Sequence, residues 1–314
     1  MLSLSDIKEE ALRQAGVRAL IIYEDGQEIC RYPERSRRNL VHSVAKSVTA
    51  IGVGFALEEG ILQLEERLSD AFREEMEAVF NDLAAKYDAA YAGAHIEKLG
   101  HIQLRHLLSN TAGFAENFLT GFQRPYLIRD DWVTQCLSIP VTDRPGSRFL
   151  YCDANYYLIA KLIQRRCQQS LSAYLTPRLF RPLGIHHPTW ELDPDGDAIG
   201  CGGLLLNTDE LYMLGRLCLD NGCFGGSPVV PPGWMETVAT AQIAIQGGTN
   251  SKNGSENGME RDYGLGYGCG FWTTPDFYYM FGYGGIYNFI SRCGDLLITV
   301  DGLDPDRTGL RIFI

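Results

Sequence analysis

The sequence predicts an α+β fold, an antiparallel sheet flanked by helices plus a mostly helical inserted region, and three observations carry that expectation. Residues 17–23 and 27–32 are apolar, β-branched runs on either side of Asp25-Gly26, the dipeptide that favours a two-residue hairpin turn. From residue 44 to about 195 apolar residues recur mostly at helical spacing, punctuated by Gly and Pro. After Gly200 the pattern changes to Gly-rich loops and short runs, of which 278–283, 287–292 and 296–300 read as successive antiparallel strands. Strands at both ends of the chain are most simply joined in one sheet. Residues 1–55 and 200–314 are therefore expected to form a discontinuous sheet-containing region and residues 56–199 a mostly helical one, with the active site in the cleft between them.

Taken in order, residues 4–15 read as a short helix capped by Ser5 or Asp6, followed by the hairpin. Residues 44–59 form a helix that ends at Gly60. The alternating acidic and apolar residues of 67–91 predict one long surface helix. Residues 102–109, 129–137, 154–169, 171–180 and 211–219 give further helices. The Gly, Asn and Ser content of 246–261 predicts a mobile loop.

Composition narrows the function classes. The 314 residues are 45% hydrophobic and 21% charged, ordinary for a globular chain with a sizeable core. A net charge of −11 repels a phosphate backbone, which argues against nucleic acid as a partner. Arg35, Arg37 and Arg38 form a short basic cluster that reads as a solvated turn. No basic segment followed by an apolar run opens the chain, and no stretch approaches a membrane span, so a soluble, cytoplasmic protein is expected. Nine cysteines without a C-x-x-C pair predict reduced thiols packed as small hydrophobes. Asn253-Gly254-Ser255 fits a glycosylation sequon but reads as polar loop, and His186-His187 reads as loop rather than metal site.

The strongest chemical feature is His42-Ser43-Val44-Ala45-Lys46. A three-residue step on a helix is about 300° of rotation and about 4.5 Å of rise, so Ser43 and Lys46 share a face. A serine hydroxyl needs a base to become a nucleophile, and a lysine in a partly desolvated cleft can serve once its pKa is lowered. Alone the tetrapeptide is unspecific, since a helix cap followed by a surface lysine has the same letters.

Further blocks make it specific. Leu57-Glu58-Glu59-Gly60-Ile61-Leu62 follows the serine block. Then come 104–114 (LRHLLSNTAGF), 145–156 (PGSRFLYCDANY), 180–185 (FRPLGI), and Gly202-Gly203-Leu204 with Asp209 and Leu211. In this order they resemble the class C β-lactamase-related serine hydrolases, which include β-lactamases, penicillin-binding proteins and esterases. The resemblance spans roughly residues 16–300. It implies the serine β-lactamase/D,D-peptidase-like fold, Ser43 as nucleophile, Lys46 as its activating partner and Tyr151 as a proton carrier held partly as phenolate.

Two positions depart from the family pattern. Asp153 stands where the family's Tyr-x-Asn has its Asn, so an amide donor to the substrate is missing. Tyr283 stands at the lysine place of the third block, Gly282-Tyr283-Gly284-Gly285-Ile286, and brings no charge for a substrate carboxylate. By resemblance Tyr283, Gly284, Gly285 and Ile286 border the substrate, and the N–H groups of Ile286 and Ser43 form the oxyanion hole. A nucleophilic Cys152 is the minor alternative. The expectation is acyl transfer through an acyl-enzyme on an ester or small amide or peptide, with no metal or organic cofactor. β-Lactamase or D,D-peptidase activity is the alternative within the class, and a catalytically silent binding protein the alternative outside it. The tail 304–314 is not clearly helical, although family members usually close with a helix on the sheet.

Overall fold

The structure, a computed structural model, describes residues 16–32, 37–127, 131–245 and 266–302. The expected helix at 4–15, the 246–261 loop, the sequon and the 304–314 tail lie outside the described residues.

The hairpin forms as expected. Strand β1 (Val17–Glu24) returns as β2 (Gln27–Tyr32), with Glu24 opposite Gln27. Asp25 and Gly26 both adopt positive φ, 47° and 85°, as a turn matched to the strand twist requires. Short β3 (Asn39–Leu40), β4 (Thr189–Trp190) and β5 (Leu204–Leu206) make a small sheet ordered β3-β5-β4. Strands β6 (Cys223–Phe224) and β7 (Ser227–Pro228) pair as a ribbon.

The main sheet is completed by β8 (Ile243–Ala244), β9 (Gly266–Tyr267), β10 (Trp272–Thr273), β11 (Phe277–Gly282), β12 (Ile286–Ser291) and β13 (Leu296–Gly302). Its order is β2-β1-β13-β12-β11-β10-β9-β8, antiparallel throughout. The strands from the two ends of the chain meet where β1 pairs with β13, Ile22 opposite Ile298.

Both faces of this sheet are covered, and the period-2 alternation sorts them. Ile21, Tyr23, Met280, Ile286, Ile290 and Leu297 enter the large core shared with the helices. Leu20, Ile22, Tyr279, Tyr287, Phe289 and Val300 form a second, aromatic-rich cluster. Asn288, fully buried, donates to the Leu211 carbonyl at 2.7 Å and accepts from the Thr299 hydroxyl at 2.6 Å, so its amide ties the sheet to the helix above it.

Helix α1 (Val44–Glu58) is buried on every face from Val44 to Ala56, so apolar residues occupy all its faces rather than one, with Lys46, Ser47 and Thr49 buried among them. Glycines let the sheet reach it. A Cβ on Gly270 would stand 3.0 Å from the Lys46 carbonyl oxygen and 2.9 Å from the Ala50 Cβ, and one on Gly282 would stand 2.3 Å from the Val41 carbonyl oxygen. The Ser47 hydroxyl donates to the Gly270 carbonyl at this contact, 2.5 Å away.

The predicted long helix at 67–91 is instead α2 (Leu68–Ala71) and α3 (Arg73–Lys86), followed by α4 (Ala89–Leu99). Phe72 leaves helical geometry to bury its ring completely, and Tyr87 breaks the chain again. Asp88 then caps α4 by accepting from the Tyr91 N–H at 2.7 Å. Helices α5 (Leu104–Leu108), α6 (Trp132–Leu137), α7 (Asp153–Cys167) and α8 (Leu171–Leu175) follow. The segment expected as a helix at 171–180 widens after α8 into a π turn over Thr176–Phe180. Pro177 lacks the N–H that would continue the α ladder, and Arg181 donates to the Thr176 carbonyl instead. Helix α9 (Thr208–Leu219) is set by a capping box between Asn207 and Glu210, and α10 (Trp234–Ala239) packs Trp234 on α1.

The basic cluster also differs from expectation. Arg38 is not simply solvated: its guanidinium donates to Glu210 at 2.8 Å and to the His187 carbonyl at 2.8 Å, fixing the 37–40 segment to the start of α9. All nine cysteines are free thiols, five of them buried. Among the described residues no helix is long and apolar enough to cross a membrane.

Candidate active site

Ser43 stands at the N-cap of α1, held by the chain before it. The Val41 N–H donates to the Leu204 carbonyl at 2.9 Å, which anchors the approach on β5. His42 takes φ 48°, an uncommon conformation for a side chain of its size, and turns the chain into the helix. The Lys46 N–H then closes on the Ser43 carbonyl at 3.0 Å.

One turn on, the Lys46 ammonium has 1% side-chain exposure and spends its three donors on three different acceptors. They are the Ser43 hydroxyl at 3.0 Å, the Cys201 carbonyl at 2.7 Å and the Asp153 carboxylate at 2.5 Å. Burial alone would push this lysine down, as the sequence argument supposed. Burial is the largest single influence, but Asp153, by charge and hydrogen bonding, together with Tyr151 and Cys201 outweighs it, so Lys46 titrates above its ordinary value. Lys46 is therefore an ammonium at neutral pH, which corrects the expectation of a lowered pKa.

Tyr151 and Asp153 reach the site on a scaffold built from the 104–114 block. Asn110, buried and at φ 55°, accepts from the Cys152 N–H at 3.2 Å and from the Asn155 amide at 2.7 Å, while its carbonyl accepts from the Leu150 N–H at 2.9 Å. Asn117 accepts from the Asp153 N–H at 2.9 Å. The Tyr151 ring stacks on Trp272 at 5.7 Å and meets Tyr267 edge-on at 6.1 Å, with the Lys46 ammonium 4.8 Å from its centroid. Burial raises the phenol. Lys46 and hydrogen bonding with Ser43 pull it back and Asp153 raises it again, so the net shift is upward. Tyr151 is a neutral phenol at pH 7, a second correction. The anion beside Lys46 removes the uncompensated cation that would have favoured a phenolate.

The alternative nucleophile fails on the same physics. Burial pushes the Cys152 thiol up to about 11, and its sulfur points to the Glu116 carbonyl at 3.6 Å.

The third block forms the turn between β11 and β12. Gly284 and Gly285 take φ 87° and 85°, a pair of conformations only glycine adopts cheaply, and Ile286 opens β12 opposite Gly282. Tyr283 is exposed and meets the His42 ring edge-on at 5.8 Å and Phe122 at 6.0 Å. The turn thus lies beside the residue that precedes Ser43. Ser43, Lys46, Tyr151 and Asp153 are in mutual reach, and Tyr283 lies against His42, the residue before Ser43.

Several contributors carry no sequence signal of their own. Cys201 acts through its backbone carbonyl, Trp272 and Tyr267 through ring packing, and Asn110 and Asn117 as holders of the Tyr151 segment. Arg124 lies near the mouth, pinned by Glu191 at 3.1 and 3.2 Å and by the Leu119 carbonyl at 3.1 Å. Of these residues only Asn110 lies inside one of the sequence blocks that carry the family resemblance.

Residues 9–204 match the Beta-lactamase family. The acyltransferase mokF of Monascus pilosus is 27% identical over 215 residues, 62% of this chain and 50% of that protein. The 6-aminohexanoate-dimer hydrolase of Paenarthrobacter ureafaciens is 23% identical over 247 residues, 73% of this chain and 59% of that protein. The chain thus spans about half the length of the first curated relatives it matches. The structure of the octameric penicillin-binding protein homologue from Pyrococcus abyssi superposes with a TM-score of 0.66 at 16% identity, covering 96% of this chain and 74% of that one. The match covers residues 9–204, which include Ser43, Lys46, Tyr151 and the 200–203 loop, and the chain belongs to the Beta-lactamase family.

Proposed function

We propose that the protein is a serine hydrolase that works through an acyl-enzyme at Ser43 on an ester or small amide or peptide. The observation that carries this reading is the Ser43 hydroxyl 3.0 Å from a buried lysine whose other donors are already fixed. In the first step Ser43 Oγ bonds to the substrate carbonyl carbon, and Lys46 with Tyr151 moves the proton to the leaving atom. The Ser43 and Ile286 N–H groups would stabilise the oxyanion, and water would release the acyl group. The expected division into a sheet-containing region of 1–55 and 200–314 and a helical region of 56–199 would place the site between them. No metal or organic cofactor enters the scheme.

Uncharged Tyr283 offers no partner for the carboxylate of a β-lactam or of a D-alanyl terminus, which favours a neutral ester or amide. Acyltransferases among the relatives add a second reading, in which an alcohol or amine replaces water as acyl acceptor. Hydrolysis of a short p-nitrophenyl ester by the wild type and by Ser43→Ala, at equal folded concentration, tests the proposal. Activity lost with the serine supports it, and equal activity in the two proteins overturns it. Faster release of p-nitrophenol on adding an alcohol would move the assignment to the transferase reading.

A further inference from the structure

The carboxylate of Asp153, where the family pattern has an amide, lies 2.5 Å from the Lys46 ammonium, which is itself all but sealed from solvent. We propose that Asp153 is a positioning residue that sets the pH at which Ser43 becomes a nucleophile, by locking Lys46 into a buried ion pair. The proposal rests on the acyl-enzyme reading above and gives that site its regulation.

The geometry leaves Lys46 no lone pair. Its three protons face a hydroxyl, a carbonyl and a carboxylate. Before it can accept the Ser43 proton it must lose one of its own. With Asp153 present, that loss leaves an unpaired anion in a desolvated site. With an amide in the same place, the loss would leave a neutral site, and burial would favour it.

The other groups around Lys46 do not change this balance. On its own helix entry stand Ser43 and His42, and burial together with the nearby cations lowers His42 below its ordinary value, so it is neutral at pH 7. From the 145–152 segment comes Tyr151, and from the 200–203 loop the Cys201 thiol, which burial pushes up to about 12. Both are neutral. Arg124 and Glu191 stand further out and pair with each other. Among the described residues Asp153 is thus the anion that decides the charge of the Lys46 site.

The chemistry itself is unchanged in atoms. Ser43 Oγ forms its bond to the acyl carbon, the bond to the leaving atom breaks, and the serine proton ends on that leaving atom. Asp153 gains and loses nothing. It alters only the fraction of enzyme whose Lys46–Tyr151 pair can take the proton.

The test follows Ser43 labelling by a fluorophosphonate from about pH 6 to about pH 10 in the wild type, Asp153→Asn and Asp153→Ser, with Ser43→Ala as the blank. Wild-type labelling should climb with pH into the alkaline range. In Asp153→Asn the rising limb should move down by about one pH unit or more, making labelling at pH 7 about tenfold faster. Superimposed limbs in folded variants overturn the proposal. Asp153→Ser serves if the asparagine variant does not fold. A separate readout is the 13C titration of Lys46 in protein labelled at lysine Cε. It should move to lower pH in Asp153→Asn, and an unmoved titration also overturns the proposal. Absence of labelling in every variant would refute Ser43 as nucleophile, while the Lys46 titration would still decide the role of Asp153.

Discussion

Two lysines are buried among the described residues, and their surroundings differ in one respect that separates chemistry from architecture. Lys161, on α7, gives its three donors to three carboxylates: Asp193 at 3.0 Å, Asp195 at 3.1 Å and Asp197 at 2.6 Å. Asp193 is itself sealed, and takes a further bond from the Tyr157 hydroxyl at 2.8 Å. Lys46, on α1, meets only one carboxylate and turns its other donors to a carbonyl and to the serine hydroxyl. A cation wholly enclosed by carboxylates can only hold, because each bond is to a group that wants its charge. A lysine shared with a hydroxyl can take that hydroxyl's proton once it has lost one of its own. Both titrate above the ordinary lysine value, so the difference lies in the partners and not in the charge state.

The largest test of this contrast removes the hydroxyl. Ser43→Ala should lower ester turnover by about 10⁴-fold with little change in Tm, measured by p-nitrophenol release and thermal melting. Next, Lys46→Met should cost about 10³-fold in turnover, since it deletes the proton carrier while leaving the serine in place. Lys161→Met should act on the other quantity. It strands Asp193 without its cation and should lower stability by about 3 kcal/mol in denaturant unfolding. Its turnover per folded molecule should fall far less than that of Lys46→Met. Equal losses of turnover in the two lysine variants would break the comparison.

The smallest effect concerns the scaffold. His106 Nδ1 accepts the Gln103 N–H at 3.1 Å, which requires a neutral ring, and burial with the neighbouring Arg105 pushes its pKa down to about 4. A lowered histidine pKa means the unfolded chain binds the extra proton first. Stability is therefore complete above the ordinary value of about 6.5 and falls as the pH drops from there towards 4. Tm measured across this window should decline, and less steeply in His106→Asn.

The same contrast explains what was legible in the sequence. Asp25-Gly26, the apolar run of α1 and the alternating residues of β11 to β13 are local signals, and the elements they predict are present. The Ser43–Lys46 pairing is local too, being one helical turn. The charge state of Lys46 is not local, because it depends on a carboxylate delivered by α7 and a carbonyl delivered by the 200–203 loop. The break in 67–91 was hidden for a similar reason. Its periodicity is continuous, but Phe72 finds a better place inside the core than on a helix surface. The three aspartates at 193, 195 and 197 are visible as a pattern, yet their partner lies 32 positions before the first of them. Nothing in the letters says that a lysine will be inside.

Gly270 and Gly282 give the sheet its close contact with α1 and with the chain that leads into it. At both points a hydrogen atom faces a carbonyl oxygen of the segment that carries Ser43 and Lys46. The spacing between the two walls is therefore gauged by main chain against main chain. Side chains lining the cavity can be exchanged for larger or smaller ones without resetting that gauge. A scaffold of this kind can change its clientele by repainting its walls, while a single methyl group at either glycine would shift the wall itself away from the serine.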